Sequence, residues 1–201
     1  MTSVRALRGG MRVLIRPLLY SDRQELALRY RQLSPESRRL RFFLPPSDLD
    51  ARQLDYLTNL DYDGHFAWAA FAIDEPGQPG IGVARYVRED ADPHKAEAAV
   101  TVLDAYQGRG LGTLLLVLLA ERASTKGVRT FVLHVLWDNV GVVDPLRELG
   151  ARVEAKEPGV ARIEVDLPAT EPAPSEGLVR RLLTAISTVL HVPSELPRSP
   201  R

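Results

Sequence analysis

The residues best suited to chemistry begin at Gln107 and read Gln107-Gly108-Arg109-Gly110-Leu111-Gly112. A β-branched run, Val100-Thr101-Val102-Leu103, comes just before them, and an apolar run over residues 114–123, stopped by Gly127, comes just after. That order reads as strand, glycine loop, helix. The first amides of a helix have no partner inside it, and the helix dipole makes their end positive. Glycines remove the Cβ atoms that would hold an anion away from that backbone. The loop is therefore a candidate phosphate cradle, and a ligand-free tight turn is the plainer alternative. A Walker A loop would end in Gly-Lys-Ser/Thr, whereas Gly112-Thr113 stands here. The spacing G-x-G-x-G is also not the G-x-G-x-x-G of a dinucleotide site. Arg109 is placed to reach a phosphate oxygen, since its neighbours offer only backbone donors. Glu97 is the second candidate, a carboxylate among Ala96, Ala98, Ala99 and Val100. Desolvation there would lift its pKa into the range of a general base, although a solvated glutamate at a strand start is the commoner fate. The chain has no cysteine, and His65, His94, His134 and His191 show no ligand spacing, so no metal is expected.

The elements that must position these residues follow from periodicity. Strands are expected at residues 13–16, 66–73, 81–87, 96–103, 130–136 and 160–167. Ser21 or Asp22 caps a first helix, with Gln24 or Glu25 completing a capping box. Ser34 and Pro35 start a second helix that runs to about Phe42. Ser47 or Asp48 opens a third over residues 49–57. A short helix follows at residues 145–149. The pattern is an α+β fold, a mixed and mostly antiparallel sheet with helices on both faces. Residues 1–10 read as an arm, 11–167 as the domain, and 168–177 (PATEPAPSEG) as a linker. Residues 178–201 hold a C-terminal amphipathic helix and tail, which would pack on the domain or on a second copy, giving a possible homodimer. Lys plus Arg and Asp plus Glu each total 26 in 201 residues, so no broad nucleic-acid surface is expected. No apolar run is long enough to span a membrane, and no signal peptide is apparent, so a cytoplasmic location without stable membrane insertion is the expectation.

The loop Gln107-Gly108-Arg109-Gly110-Leu111-Gly112 resembles the Q/R-x-x-G-x-G/A loop of the GNAT superfamily of N-acetyltransferases. The stretches at residues 57–71, 85–89 and 96–102 resemble the catalytic domain of bacterial protein lysine acetyltransferases of the cyclic-nucleotide-regulated type. The resemblance covers about residues 11–167. It implies the GNAT fold and acetyl-CoA as cosubstrate. The diphosphate would lie on Gln107, Gly108, Arg109, Gly110, Leu111, Gly112 and Thr113. The pantetheine arm would run beside Val100, Thr101 and Val102, with a backbone N–H near Val102 polarising the thioester carbonyl. Asp138-Asn139 matches the family's D-N pair, which makes Asn139 a side-chain contact to CoA. Glu97 maps onto the family's general base. A lysine amine at pH 7 costs about 4.6 kcal/mol to deprotonate, which is the barrier such a base lowers.

Three departures accompany the resemblance. The chain has no room for a cyclic-nucleotide domain, so regulation by that ligand is not implied. The tyrosine that many relatives use to protonate the leaving thiolate has no counterpart, and water would serve. Val140-Gly141-Val142-Val143-Asp144-Pro145 is a poor helix start, so the helix is expected from Pro145 with Asp144 as its N-cap. The function expected is transfer of acetyl to a protein lysine. The alternatives are a small-molecule amine as acceptor, or a non-catalytic acyl-CoA-binding module.

Overall fold

The structure, a computed structural model, describes residues 2–42, 48–139, 143–144, 147 and 151–167. The chain opens with β1 (Ser3–Ala6) and β2 (Arg12–Pro17), an antiparallel hairpin. Residues 3–6, expected in a loose arm, are thus part of the sheet. Three helices follow: α1 (Arg23–Gln32), α2 (Pro35–Phe42) and α3 (Ala51–Thr58). Next come β3 (His65–Ala72), β4 (Gly80–Arg88) and β5 (Lys95–Val102), an antiparallel meander. The long helix α4 (Leu111–Thr125) returns the chain to β6 (Thr130–Leu136), and β7 (Arg152–Glu157) and β8 (Val160–Asp166) finish the sheet. Strand order is β1-β2-β3-β4-β5-β6-β8-β7, and only β5 and β6 run parallel. The expected mixed, mostly antiparallel sheet is what forms. Strand β7 was not anticipated, because its RVEAKE sequence is too charged to read as a buried strand. The expected C-terminal helix lies outside the described residues.

Alternation along β4 and β5 sorts the two faces of the sheet. Ala84 and Tyr86, with Ala96, Ala98 and Val102, are buried beneath α4. Leu111, Leu115 and Leu119 are fully buried on the facing stripe of that helix, each worth about 1.5–3 kcal/mol. Gly82 lets the first turns of α4 come close. A Cβ there would lie 3.2 Å from both Leu111 and Leu115 and 3.3 Å from the Thr101 carbonyl. The opposite face, with Val83, Arg85, Val87, Glu97 and Ala99, looks toward α1, α2 and α3.

Helix starts differ in detail from expectation. No capping bond forms at α1. The Asp22 carboxylate instead accepts from the Leu19 amide and the two terminal guanidinium nitrogens of Arg16. Ser34 does cap α2, taking the Ser37 amide at 3.1 Å. Helix α3 is capped by Asp50 with a reciprocal Gln53 box, rather than by Ser47 or Asp48. Val143 and Asp144 are already helical, so that helix starts ahead of the expected Asp144 cap.

Candidate active site

The glycine loop is held from both sides. Asp104, in the turn before it, accepts from Ser34 N, Ser34 Oγ and Ser37 Oγ at 2.7–3.0 Å. Burial alone would raise the Asp104 pKa, but these donors outweigh it and hold the carboxyl below its ordinary value. The bonds fasten the start of α2 to the start of the loop. Gln107 turns inward, its Nε2 donating to the Val102 carbonyl at 3.0 Å. Gly108 and Gly110 take left-handed φ values of 73° and 85°, which side chains with a Cβ rarely adopt. The helical ladder begins with Leu114 N donating to the Gly110 carbonyl at 3.0 Å. The amides of Leu111, Gly112 and Thr113 precede that ladder. Thr113 Oγ1 is buried and has no hydrogen-bond partner among the described residues. Amides ahead of the ladder and an orphaned hydroxyl at the same helix mouth fit an anion such as a diphosphate.

Two arginines flank the loop. Arg109 is exposed and folds back along the loop. Its guanidinium donates to the Ala105 carbonyl at 3.2 Å and stacks 5.6 Å from the Tyr106 ring centre. Arg8, unremarked in the sequence, donates its amide to the Arg109 carbonyl, and its Nε lies 4.0 Å from where a Gly110 Cβ would be. The β1–β2 hairpin carries it there, and nothing local to residues 1–10 signals that pairing.

Strands β5 and β6 are paired through Lys95–Thr130, Ala96–Phe131 and Glu97–Val132, and the pairing ends there. Beyond Glu97 the edge of β5 that faces β6 has no described strand partner, although β5 runs on to Val102. Glu97 therefore stands at the apex of a wedge, with Val100, Thr101 and Val102 along one side of it. About 17 Å of strand separates Glu97 from Val102. The Glu97 side chain is 50% exposed, with His134 Nδ1 3.6 Å from Oε2. The burial expected of it is not there, for a geometric reason. Ala96 and Ala98 point to the opposite face, beneath α4, and cover nothing on the glutamate side.

Glu97 opens into a cavity of about 380 Å³ whose wall includes Arg41, Arg52, Tyr56, Arg85 and Ala99. Sequence reasoning missed the arginines. Arg85 is 6% exposed. It donates to the Leu57 carbonyl at 2.9 Å and lies 3.2 Å from His65 Nε2. Burial, and then neighbouring Arg41, lower its pKa to about 9, so it stays charged at neutral pH. Burial and then Arg85 lower the His65 pKa to about 4, leaving the imidazole neutral and its Nε2 free to accept from Arg85. Arg41 is likewise lowered by burial, against the pull of Glu97 and Tyr56. A signal was available at Arg85, an arginine in the middle of a strand that is apolar up to its last residue, Arg88.

Asn139 ends the turn after β6. Its carbonyl accepts from Val143 N at 3.1 Å. Beside it Asp138 pairs with Arg39 of α2 at 2.9 Å. No group of three or more His, Cys, Asp or Glu side chains able to hold a metal occurs among the described residues.

A family model described as an acetyltransferase (GNAT) domain matches residues 12–152. Acetyltransferase Pat of Mycolicibacterium smegmatis is 36% identical over 143 residues, covering 71% of this chain and 42% of that protein. The chain thus spans less than half the length of that relative. The crystal structure of the GNAT domain of S. lividans PAT superposes with a TM-score of 0.73 at 32% identity, covering 83% of this chain and 97% of that one. The cAMP-binding acyltransferase from Mycobacterium smegmatis gives a TM-score of 0.58 at 29% identity, over 94% of this chain and 56% of that one.

Proposed function

Because the chain belongs to the GNAT acetyltransferase family and is an acyltransferase, we propose that it moves the acetyl group of acetyl-CoA to a protein lysine with Glu97 as general base. The observation that carries this reading is the wedge. Pairing of β5 with β6 stops at Glu97, which leaves an open strand edge between that carboxylate and the glycine loop. An extended thioester arm can lie along such an edge as an added strand. The Leu111, Gly112 and Thr113 amides, with Gln107, Gly108, Arg109 and Gly110 around them, hold the diphosphate at one end. Arg109 swings from the Tyr106 ring to reach it, and Asn139 contacts the arm from the β6 side. The N–H expected near Val102 stands about 17 Å of strand from Glu97, too far for one water to link them, so the carbonyl is polarised by an edge N–H nearer Glu97.

Glu97 takes a proton from the ammonium through one water, and the neutral nitrogen then attacks the thioester carbon. The adduct's nitrogen gives its second proton to solvent, the C–S bond breaks, and the thiolate that leaves is protonated by solvent. The half-exposed carboxylate suits a base that must hand its proton on to water between turnovers. The lysine acceptor is supported by the likeness to proteins named Pat and PAT.

The test is release of free CoA together with mass-spectrometric detection of acetyl-lysine on a protein or peptide acceptor. Glu97→Gln should bind acetyl-CoA normally by calorimetry and lose about 10²–10⁴-fold in kcat. A variant with full kcat would remove Glu97 from the chemistry. Turnover of small amines without any peptide product would replace the acceptor.

A further inference from the structure

The acceptor side of the site carries more positive charge than its structure needs. Arg41, Arg52 and Arg85 line the cavity, and Glu97 is the one acidic side chain among its described lining residues. Elsewhere the described arginines divide: some, such as Arg8, Arg38, Arg88 and Arg129, form no ion pair with a described carboxylate, and others do. Arg12, Arg16, Arg23, Arg29, Arg31, Arg39, Arg152 and Arg162 all meet a carboxylate within 4 Å. None of the three cavity arginines forms an ion pair with a described carboxylate. Arg85 is satisfied only by neutral groups, the Leu57 carbonyl and His65. Arg41 stacks 4.9 Å from the Phe42 ring. Arg52 is exposed and Arg41 half-buried, but Arg85 is buried, and holding its guanidinium out of water without a counter-charge costs free energy. A binding site repays that cost when its ligand supplies the anion.

The same charges constrain the acceptor. A bare ammonium approaching Glu97 meets three guanidinium groups against one carboxylate and is repelled. An acceptor with an anionic group beside its amine is drawn in, and the surrounding cations then favour the neutral, nucleophilic amine. We infer that this enzyme selects an amine with a carboxylate close by, which for a protein acceptor is a lysine with aspartate or glutamate as a near neighbour. Arg85 and Arg41 face that carboxylate from β4 and α2, and Arg52 from the more exposed surface of α3. The inference rests on Glu97 marking the acceptor side.

The experiment compares initial rates on lysine peptides whose flanking residues are glutamate, alanine or lysine, together with free lysine and 1,5-diaminopentane, its analogue without the carboxyl. The glutamate-flanked peptide should exceed the lysine-flanked one about tenfold in kcat/KM, mostly through KM, and the ratio should shrink as salt is raised. Arg52→Glu, at an exposed helix position, should cut that ratio about fivefold. Equal rates across the peptides, or a ratio unmoved in Arg52→Glu, overturns the inference while leaving a lysine acetyltransferase standing. Free lysine turned over well, with diaminopentane and every peptide refused, upholds the anion requirement and overturns the protein acceptor. Diaminopentane preferred to lysine overturns the anion requirement. No turnover of any amine overturns both.

Discussion

Arg85 and His65 show how one buried contact fixes a protonation state. The guanidinium can only donate, so the imidazole nitrogen facing it at 3.2 Å must accept and stay neutral. Burial and Arg85 bring the His65 pKa to about 4 from 6.5. The fold therefore binds fewer protons than the unfolded chain between those values, and stability falls as pH drops from 6.5 toward 4. His65→Asn keeps an acceptor that does not titrate. Thermal melts of the variant should lose that part of the pH dependence while the parent protein keeps it. A single sequence shows little of this, because the pairing depends on β3 and β4 being neighbours. Glu97 was legible from its strand. Its half-exposed state was not, since flanking alanines say nothing about which face they occupy until the register with β4 is known.

Elements whose signal is local were readable. The Ser34-Pro35 start of α2, the residue 130–136 strand and the glycine loop all carry their information within a few neighbours. What escaped was set by distant partners. Strand β1 is an exposed edge that pairs only with β2, and β7 is mostly charged because it is the opposite edge. The Asp22 carboxylate failed to cap α1 because Arg16, on the neighbouring strand, binds it in a bidentate pair. Gly82 is the most informative position at this scale. It looks like an ordinary strand glycine, yet it sets how closely α4 sits on β4. In Gly82→Ala the leucine side chains can yield by rotation, but the Thr101 carbonyl at 3.3 Å is backbone and cannot. Unfolding in urea should show a loss of about 1–3 kcal/mol. Acetyl-CoA affinity should fall more than the KM for the acceptor changes, because the displaced element bears the amides proposed to hold the diphosphate.

Across the whole molecule, the two halves of the sheet are joined by only a short parallel ladder between β5 and β6. Beyond Glu97–Val132 the backbone groups along the interior edge of β5 have no described strand partner. The edge β6 turns away from them is held by β8, through pairing that runs from Thr130–Asp166 to Leu136–Val160. A seam of this kind is an invitation to water. Amides in residues 98–102 should exchange with deuterium sooner than those of β3 and β4, and saturating acetyl-CoA should slow them selectively. At a hundred times its dissociation constant the ligand would add about 2.7 kcal/mol to global stability. On the proposed reading, the cosubstrate is more than a reactant held in a cleft. Lying along that edge from Glu97 toward the glycine loop, it would make the two half-sheets one continuous body, and each turnover would briefly unfasten the middle of the protein.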